Sequence, residues 1–368
     1  MKSVAIVTNY GWLGISSPLI NTILLLLKKD YNIDLYLKQD TFCDNLKISN
    51  TFIKHKNLNS IYYNQNINST NLLKKHILEI KNMKKKIYKF IIAFDIEGLI
   101  KAGILFRKMQ NLKLVYFSLE IYDIKDKLKD LEIYFNKYAT VTITQDKYRI
   151  RILSILNKID KKSCSHVWNS SYEETLIKNK NTYLRKKFNI PKSKKIILAT
   201  GTLLETTGID ELIESNLFQD ERYVVILHGW IPNDKFRKYI LSKVDDKNIF
   251  LSEDIIPFSE KYKIFSSADF GYISYNPLDL NLKYAAGSSG KLFDFMRCGV
   301  PVIGNNIPFM KKYIENNNVG KVFNKKENIL NSINIIDTNY SYFVENCFKT
   351  FKNYSFKKSF QNALKDIL

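Results

Sequence analysis

Short apolar runs recur along this chain with longer amphipathic stretches between them. The series plays through once, breaks at a polar segment and starts again. Runs this short and this uniformly apolar suit strands buried on both faces, and the stretches between them suit the helices that cover such a sheet. In the first half the runs are 4–8, 33–37, 90–94, 114–118 and 140–144; in the second they are 195–200, 223–228, 249–251, 270–275, 300–304 and 320–323. The pattern predicts an α/β chain with two doubly wound, Rossmann-like parallel sheets. A Lys- and Asn-rich segment over 170–194 marks the boundary. The expected domains are 1–172 and 190–345. The stretch 340–368 reads as helical with aromatic anchors, and its end, 352–368, is expected to pack back onto the first domain. Ligands of such sheets bind at the carboxyl ends of the strands, so two domains facing one another would place a site in the cleft between them.

The composition supports two cores: 45% of the 368 residues are hydrophobic, with 23 Phe and 23 Tyr. Cys43, Cys164, Cys298 and Cys347 are scattered, and His55, His76, His166 and His228 cluster with nothing. Neither spacing suits a zinc site or a disulfide frame, so no metal is expected and a reducing cytoplasm is the expected location. The opening Met-Lys-Ser-Val-Ala-Ile-Val-Thr is strand-like, and the apolar run 19–27 is too short to span a bilayer. The net charge of +21 is mostly lysine. Its densest run, 74–89, reads first as a solvated helix face and second as a contact for an anionic membrane surface. Nucleic acid ranks last, because no nucleic-acid-binding motif accompanies the lysines.

Residues 287–303 carry the most chemistry. Ser288, Ser289 and Gly290 open a helix, where unpaired N–H groups and the positive end of the dipole favour an anion. Lys291 follows in the first turn, where a cation opposes the dipole unless an anion shares that end. Asp294, three residues on, offers a carboxylate to a sugar hydroxyl; the ordinary alternative is an exposed pair with Lys291 worth about 0.2–0.5 kcal/mol. Gly299 suits the helix end. After the first strand, Gly11 and Gly14 allow close backbone approach but do not form the dinucleotide fingerprint. Gly201 and Gly208 bracket a loop that leads into a helix, and His228 and Gly229 end the next strand.

The order of these elements, a Thr-Gly-Thr loop at 200–202, His228-Gly229, Ser-Ala-Asp at 267–269, the small-residue helix start and Cys-Gly-Val-Pro-Val-Ile at 298–303, resembles the nucleotide-binding domain of retaining GT-B glycosyltransferases, family 4 above all. The resemblance covers about 195–323, and Val-Trp-Asn at 167–169 resembles the asparagine motif that precedes the interdomain linker. It implies a GT-B fold and a nucleotide-sugar donor held by Gly14, Gly201, Thr202, His228, Gly229, Ser288, Ser289, Gly290, Lys291, Leu292 and Asp294. Asp294 falls where the family binds ribose, and Lys291 would also act on the leaving diphosphate. Three positions depart from the family pattern: Ala286 replaces the first motif carboxylate, and Thr202 and Thr207 replace basic residues. Asp269 follows a structural Ala-Asp pattern. In the first domain, residues 115–122 resemble the tyrosine-then-glutamate pattern of bacterial polysaccharide glycosyltransferases. Glu120 there would orient or deprotonate an acceptor hydroxyl, or else is a surface carboxylate paired with Lys125. Asp95 is a second candidate, or an ordinary helix cap. The implied activity is retaining transfer to a carbohydrate or lipid-linked acceptor in cell-surface polysaccharide synthesis, capsule or lipopolysaccharide, with no metal or other cofactor. The alternatives are a nucleotide-sugar epimerase of the same architecture and a non-catalytic basic protein that binds a ligand or membrane.

Overall fold

The computed structural model describes residues 2–9, 16–38, 55–63, 71, 74–75, 77, 87–107 and 112–368. The chain divides into two compact units, Met1–Tyr172 together with Phe356–Leu368, and Glu173–Ser355.

The first unit holds a seven-stranded parallel sheet in the order β3-β2-β1-β4-β5-β6-β7. Its strands are β1 (Ser3–Val7), β2 (Asn32–Lys38), β3 (Leu58–Tyr63), β4 (Phe90–Phe94), β5 (Lys113–Phe117), β6 (Val141–Thr144) and β7 (Cys164–His166). The second unit holds a six-stranded parallel sheet, β10-β9-β8-β11-β12-β13. These strands are β8 (Lys195–Thr202), β9 (Tyr223–Trp230), β10 (Ile249–Ser252), β11 (Phe270–Ile273), β12 (Val302–Asn305) and β13 (Gly320–Phe323). Every predicted run holds a strand. The sequence pattern missed β3 and β7, which are the two edges of the first sheet. Neither is buried: Leu58 and Ile61 are half-buried with Asn59 and Ser60 exposed, and Cys164–His166 are half-buried, so the two strands need not be uniformly apolar.

In each sheet the strand order reverses once, between β1 and β4 and between β8 and β11. Parallel strands covered on both faces account for the burial. On one face of the first sheet, Leu19, Ile23 and Leu26 of the helix Ser17–Lys28 pack with Phe356 and Phe360 of the C-terminal helix Phe356–Ala363 against Val4, Ile6, Ile92 and Phe117. On the other, Leu99 and Ala102 of the helix Asp95–Phe106 pack against Ala5, Val7, Ile91, Ala93 and Tyr116. In the second sheet Ile197, Ala199, Val225, Leu227 and Ile303 share a core with Leu212, Ile333 and Ile336. The predicted helical stretch 340–368 is two helices, Tyr340–Phe351 in the second unit and Phe356–Ala363 in the first. Of the basic run 74–89, residues 74, 75 and 77 are helical and 87–89 lead into β4; the remainder, like Gly14, lies outside the described residues. No helix among the described residues is long and apolar enough to cross a membrane.

Candidate functional site

The site in the second unit starts from two glycines. β8 and β9 end in register, Gly201 beside Gly229, and a Cβ on Gly229 would lie 1.9 Å from the Gly201 carbonyl oxygen. Gly201 itself has φ 102°, and a Cβ on it would lie 3.8 Å from both Cδ and Nζ of Lys291. Glycine at 229 is what lets the two strand ends meet, whereas at Gly201 a Cβ would only touch the lysine and it is the positive φ that favours glycine.

Lys291 stands in the first turn of the helix Gly290–Arg297, whose N-cap, Ser289, makes no side-chain cap bond. The Ser289 hydroxyl is instead 2.7 Å from the Tyr275 hydroxyl, and the Lys291 ammonium lies 5.5 Å from the centre of the Tyr275 ring. Ser288 folds back onto the Ala285 carbonyl through both its N–H and its Oγ, each at 3.1 Å. The Leu292 N–H donates to the Ser289 carbonyl at 3.1 Å. That leaves the N–H groups of Ser289, Gly290 and Lys291 with no acceptor among the described residues. Lys291 is partly exposed, yet its ammonium makes no hydrogen bond or ion pair with a described residue. Desolvation by the surrounding protein pulls its pKa from 10.5 down to about 8. A cation without a counter-ion and three free amide donors thus converge on one helix start. This is the chemistry of an anion site.

Asp294 does not pair with Lys291. It is buried, and its two carboxylate oxygens accept from the Lys261 ammonium at 2.8 Å and the Tyr262 hydroxyl at 2.7 Å. The Arg297 guanidinium stacks on the Tyr262 ring, 4.2 Å from its centre, and donates to the Thr175 carbonyl at 2.8 Å. Leu292 is wholly buried, so only its backbone reaches the helix start, and Ala286 is buried as well. His228 is buried with Nδ1 3.0 Å from the Ser252 hydroxyl, and desolvation lowers its pKa to about 4, leaving it neutral at pH 7. Lys187 donates to that same hydroxyl at 3.2 Å and pairs with Asp254. Thr202 is exposed at the end of β8, and the Thr207 hydroxyl braces the loop by donating to the Thr202 carbonyl at 3.0 Å. Asp269 is structural: it accepts from the Ile196 N–H at 2.9 Å and pairs with Arg185 and Lys180.

Glu120 belongs to the first unit, in the turn after β5, where its N–H and that of Leu119 donate to Asp95 Oδ1 at 3.0 and 2.7 Å. Sequence reasoning missed Lys261, Tyr262 and the Tyr275 hydroxyl. None stands in a recognisable spacing, and a surplus of lysine hides one more cation.

HepE from Anabaena, solved with UDP and glucose, superposes with a TM-score of 0.76, covering 100% of this chain and 99% of that one at 13% identity. The fold is GT-B. A glycosyltransferase from Rickettsia africae shares this GT-B architecture at a TM-score of 0.74 and 15% identity, with 100% and 97% covered. So does WaaG, a glycosyltransferase involved in lipopolysaccharide biosynthesis, at 0.68 and 14%, with 100% and 99% covered. No protein-family model matches the sequence, and no curated protein does. At these identities the likeness establishes the GT-B fold, and function rests on the site.

Proposed function

We propose that this GT-B chain is a glycosyltransferase, of the retaining family 4 kind, that moves a hexose from a nucleoside-diphosphate sugar to a carbohydrate or lipid-linked acceptor in cell-surface polysaccharide synthesis. The observation that carries the reading is the unpaired, desolvated Lys291 ammonium beside the free amides of Ser289, Gly290 and Lys291. As the sugar–phosphate bond breaks, negative charge grows on the departing diphosphate, and donors already in place stabilise it without reorganising. With a pKa near 8 the lysine is mostly charged at pH 7, and a bound diphosphate would hold it so.

Asp294, oriented by Lys261 and Tyr262, retains lone pairs for a ribose hydroxyl. The open ends of β8 and β9 at Gly201, Thr202 and Gly229 give the donor close access to backbone. Glu120 serves the acceptor. Chemistry of this kind needs no metal, since Lys291 and the helix start take the place of a divalent cation. The excess of lysine suits work at an anionic membrane surface on the cytoplasmic side, where lipid-linked acceptors are met. Complexes of HepE with UDP and with UDP-glucose favour a uridine diphosphate donor as the first to try.

The test is thermal shift with a panel of nucleoside diphosphates and their sugars, followed by nucleotide release with and without a panel of octyl glycosides. A donor should raise the melting temperature through mass action, and release should depend on acceptor. Sugar interconversion without acceptor would mean an epimerase, and no response to any diphosphate would sink the reading.

A further inference from the structure

At the carboxyl edge of the first sheet, β4 lies between β1 and β5, and the helix Asp95–Phe106 follows β4 without an intervening loop. Its first residue, Asp95, has φ 53°, a left-handed conformation at a strand-to-helix junction. Such a conformation persists in a residue other than glycine only where surrounding contacts hold it, and it concentrates at functional sites. The Asp95 carboxyl is buried. It crosses to the end of β5 and takes the N–H groups of Leu119 at 2.7 Å and Glu120 at 3.0 Å on one oxygen. The Ser118 hydroxyl closes the same turn by donating to the Glu120 carbonyl at 2.7 Å.

The same helix grips the other neighbour of β4. A Cβ on Gly98 would lie 2.6 Å from the carbonyl oxygen of Val7, the last residue of β1, so the helix runs hard against that strand. One turn on, buried Lys101 donates from Nζ to Asn9 Oδ1, two residues beyond β1, at 3.3 Å. One helix therefore ties down the ends of both strands flanking its own.

We propose that Asp95 is the positioning residue of the acceptor side: held in a strained turn, it pins the Ser118–Glu120 turn and thereby sets the Glu120 carboxylate. The inference rests on the acceptor-side reading of Glu120 above. Two substitutions separate its parts. Asp95→Gly adopts the left-handed turn without steric cost and removes the pin. Asp95→Asn tolerates that turn, and its amide oxygen still accepts both N–H groups.

Hydrogen exchange at Leu119 and Glu120, UDP-glucose affinity, and kcat/KM for the octyl glycoside that the wild type turns over fastest are the readouts. For Asp95→Gly, exchange at both amides should speed up on the order of tenfold, the size expected from losing charge-assisted bonds. Its acceptor kcat/KM should fall at least as far, with UDP-glucose affinity within about twofold of wild type. Asp95→Asn should restore most of both. Unchanged exchange and kcat/KM in Asp95→Gly would overturn the proposal. So would Asp95→Asn that keeps the amides protected yet loses turnover, because the charge would then be acting on substrate directly. A wild type that binds UDP-glucose but transfers to no glycoside overturns the acceptor-side reading and this role together, whereas failure of UDP-glucose binding alone points to the donor site.

Discussion

Lys291→Met should make the ligand-free protein more stable while removing its affinity for nucleoside diphosphates. Methionine keeps the length and the apolar stem and deletes the charge. In the folded chain the lysine pKa is about 8 against 10.5 for the free side chain, a lowering caused by desolvation. At about 1.36 kcal/mol per unit, holding the charged form costs up to about 3 kcal/mol. Partial exposure of the side chain screens this, so about 1.5–3 kcal/mol is the working range. The sign follows from proton counting: between pH 8 and 10.5 the unfolded chain binds the proton more tightly than the folded one, so stability rises with pH across that window. The penalty is therefore fully present at pH 7 and gone by about pH 10.5. For a unit of this size each kcal/mol moves the melting temperature by about 2–4 °C, so the variant should melt roughly 3–12 °C higher at pH 7. That gap should close as the pH is raised past 8. Its affinity for UDP should drop about 10–100-fold, as expected on losing a charge-assisted contact. Scanning fluorimetry across pH and calorimetric titration with UDP check both halves. A variant that melts lower than wild type at pH 7 and still binds UDP equally well would refute the assignment of Lys291.

In the wild type, UDP affinity should be nearly flat up to about pH 8 and then weaken by at most tenfold per pH unit as the free lysine loses its proton, a slope absent from Lys291→Met; titration from pH 7 to 9.5 tests it. Gly229→Ala should destabilise the second unit by on the order of 3 kcal/mol, since its Cβ must displace the Gly201 carbonyl at φ 147°, and urea unfolding measures the loss. His228, with a pKa near 4 in the fold against 6.5 free, stays neutral in the native state while the unfolded chain takes up the proton. Stability should consequently fall by about 2 kcal/mol between pH 7.5 and 5, and His228→Asn should lack that component of the fall in matched urea melts. Asp294→Ala strands the Lys261 charge and should cost about 3–5 kcal/mol, whereas adding Lys261→Met should recover much of the stability without restoring donor affinity; melts and titration of the two variants separate folding from binding.

What the chain encodes locally was legible in it. Strands buried on both faces must be apolar throughout, so β4 and β8 announce themselves, and a Ser-Ser-Gly-Lys helix start exposes amides whatever surrounds it. β3 and β7 escaped because their residues are half-buried or exposed, which imposes no such uniformity. Pairing lay beyond local reading. Lys291 and Asp294 are spaced to meet on one helix, yet Asp294 is claimed by Lys261, 33 residues away in sequence, and Lys291 has no ion-pair partner among the described residues. Likewise Asp95 follows a strand as any cap would, but only the packing of its helix between β1 and β5 turns its carboxyl onto Glu120. Sequence by itself determined which segments are buried and where backbone donors are exposed, because those follow from neighbours along the chain. Which charges meet, and which stay free for a ligand, was decided by tertiary structure, because a Coulombic or hydrogen-bonded partner is chosen by distance in space.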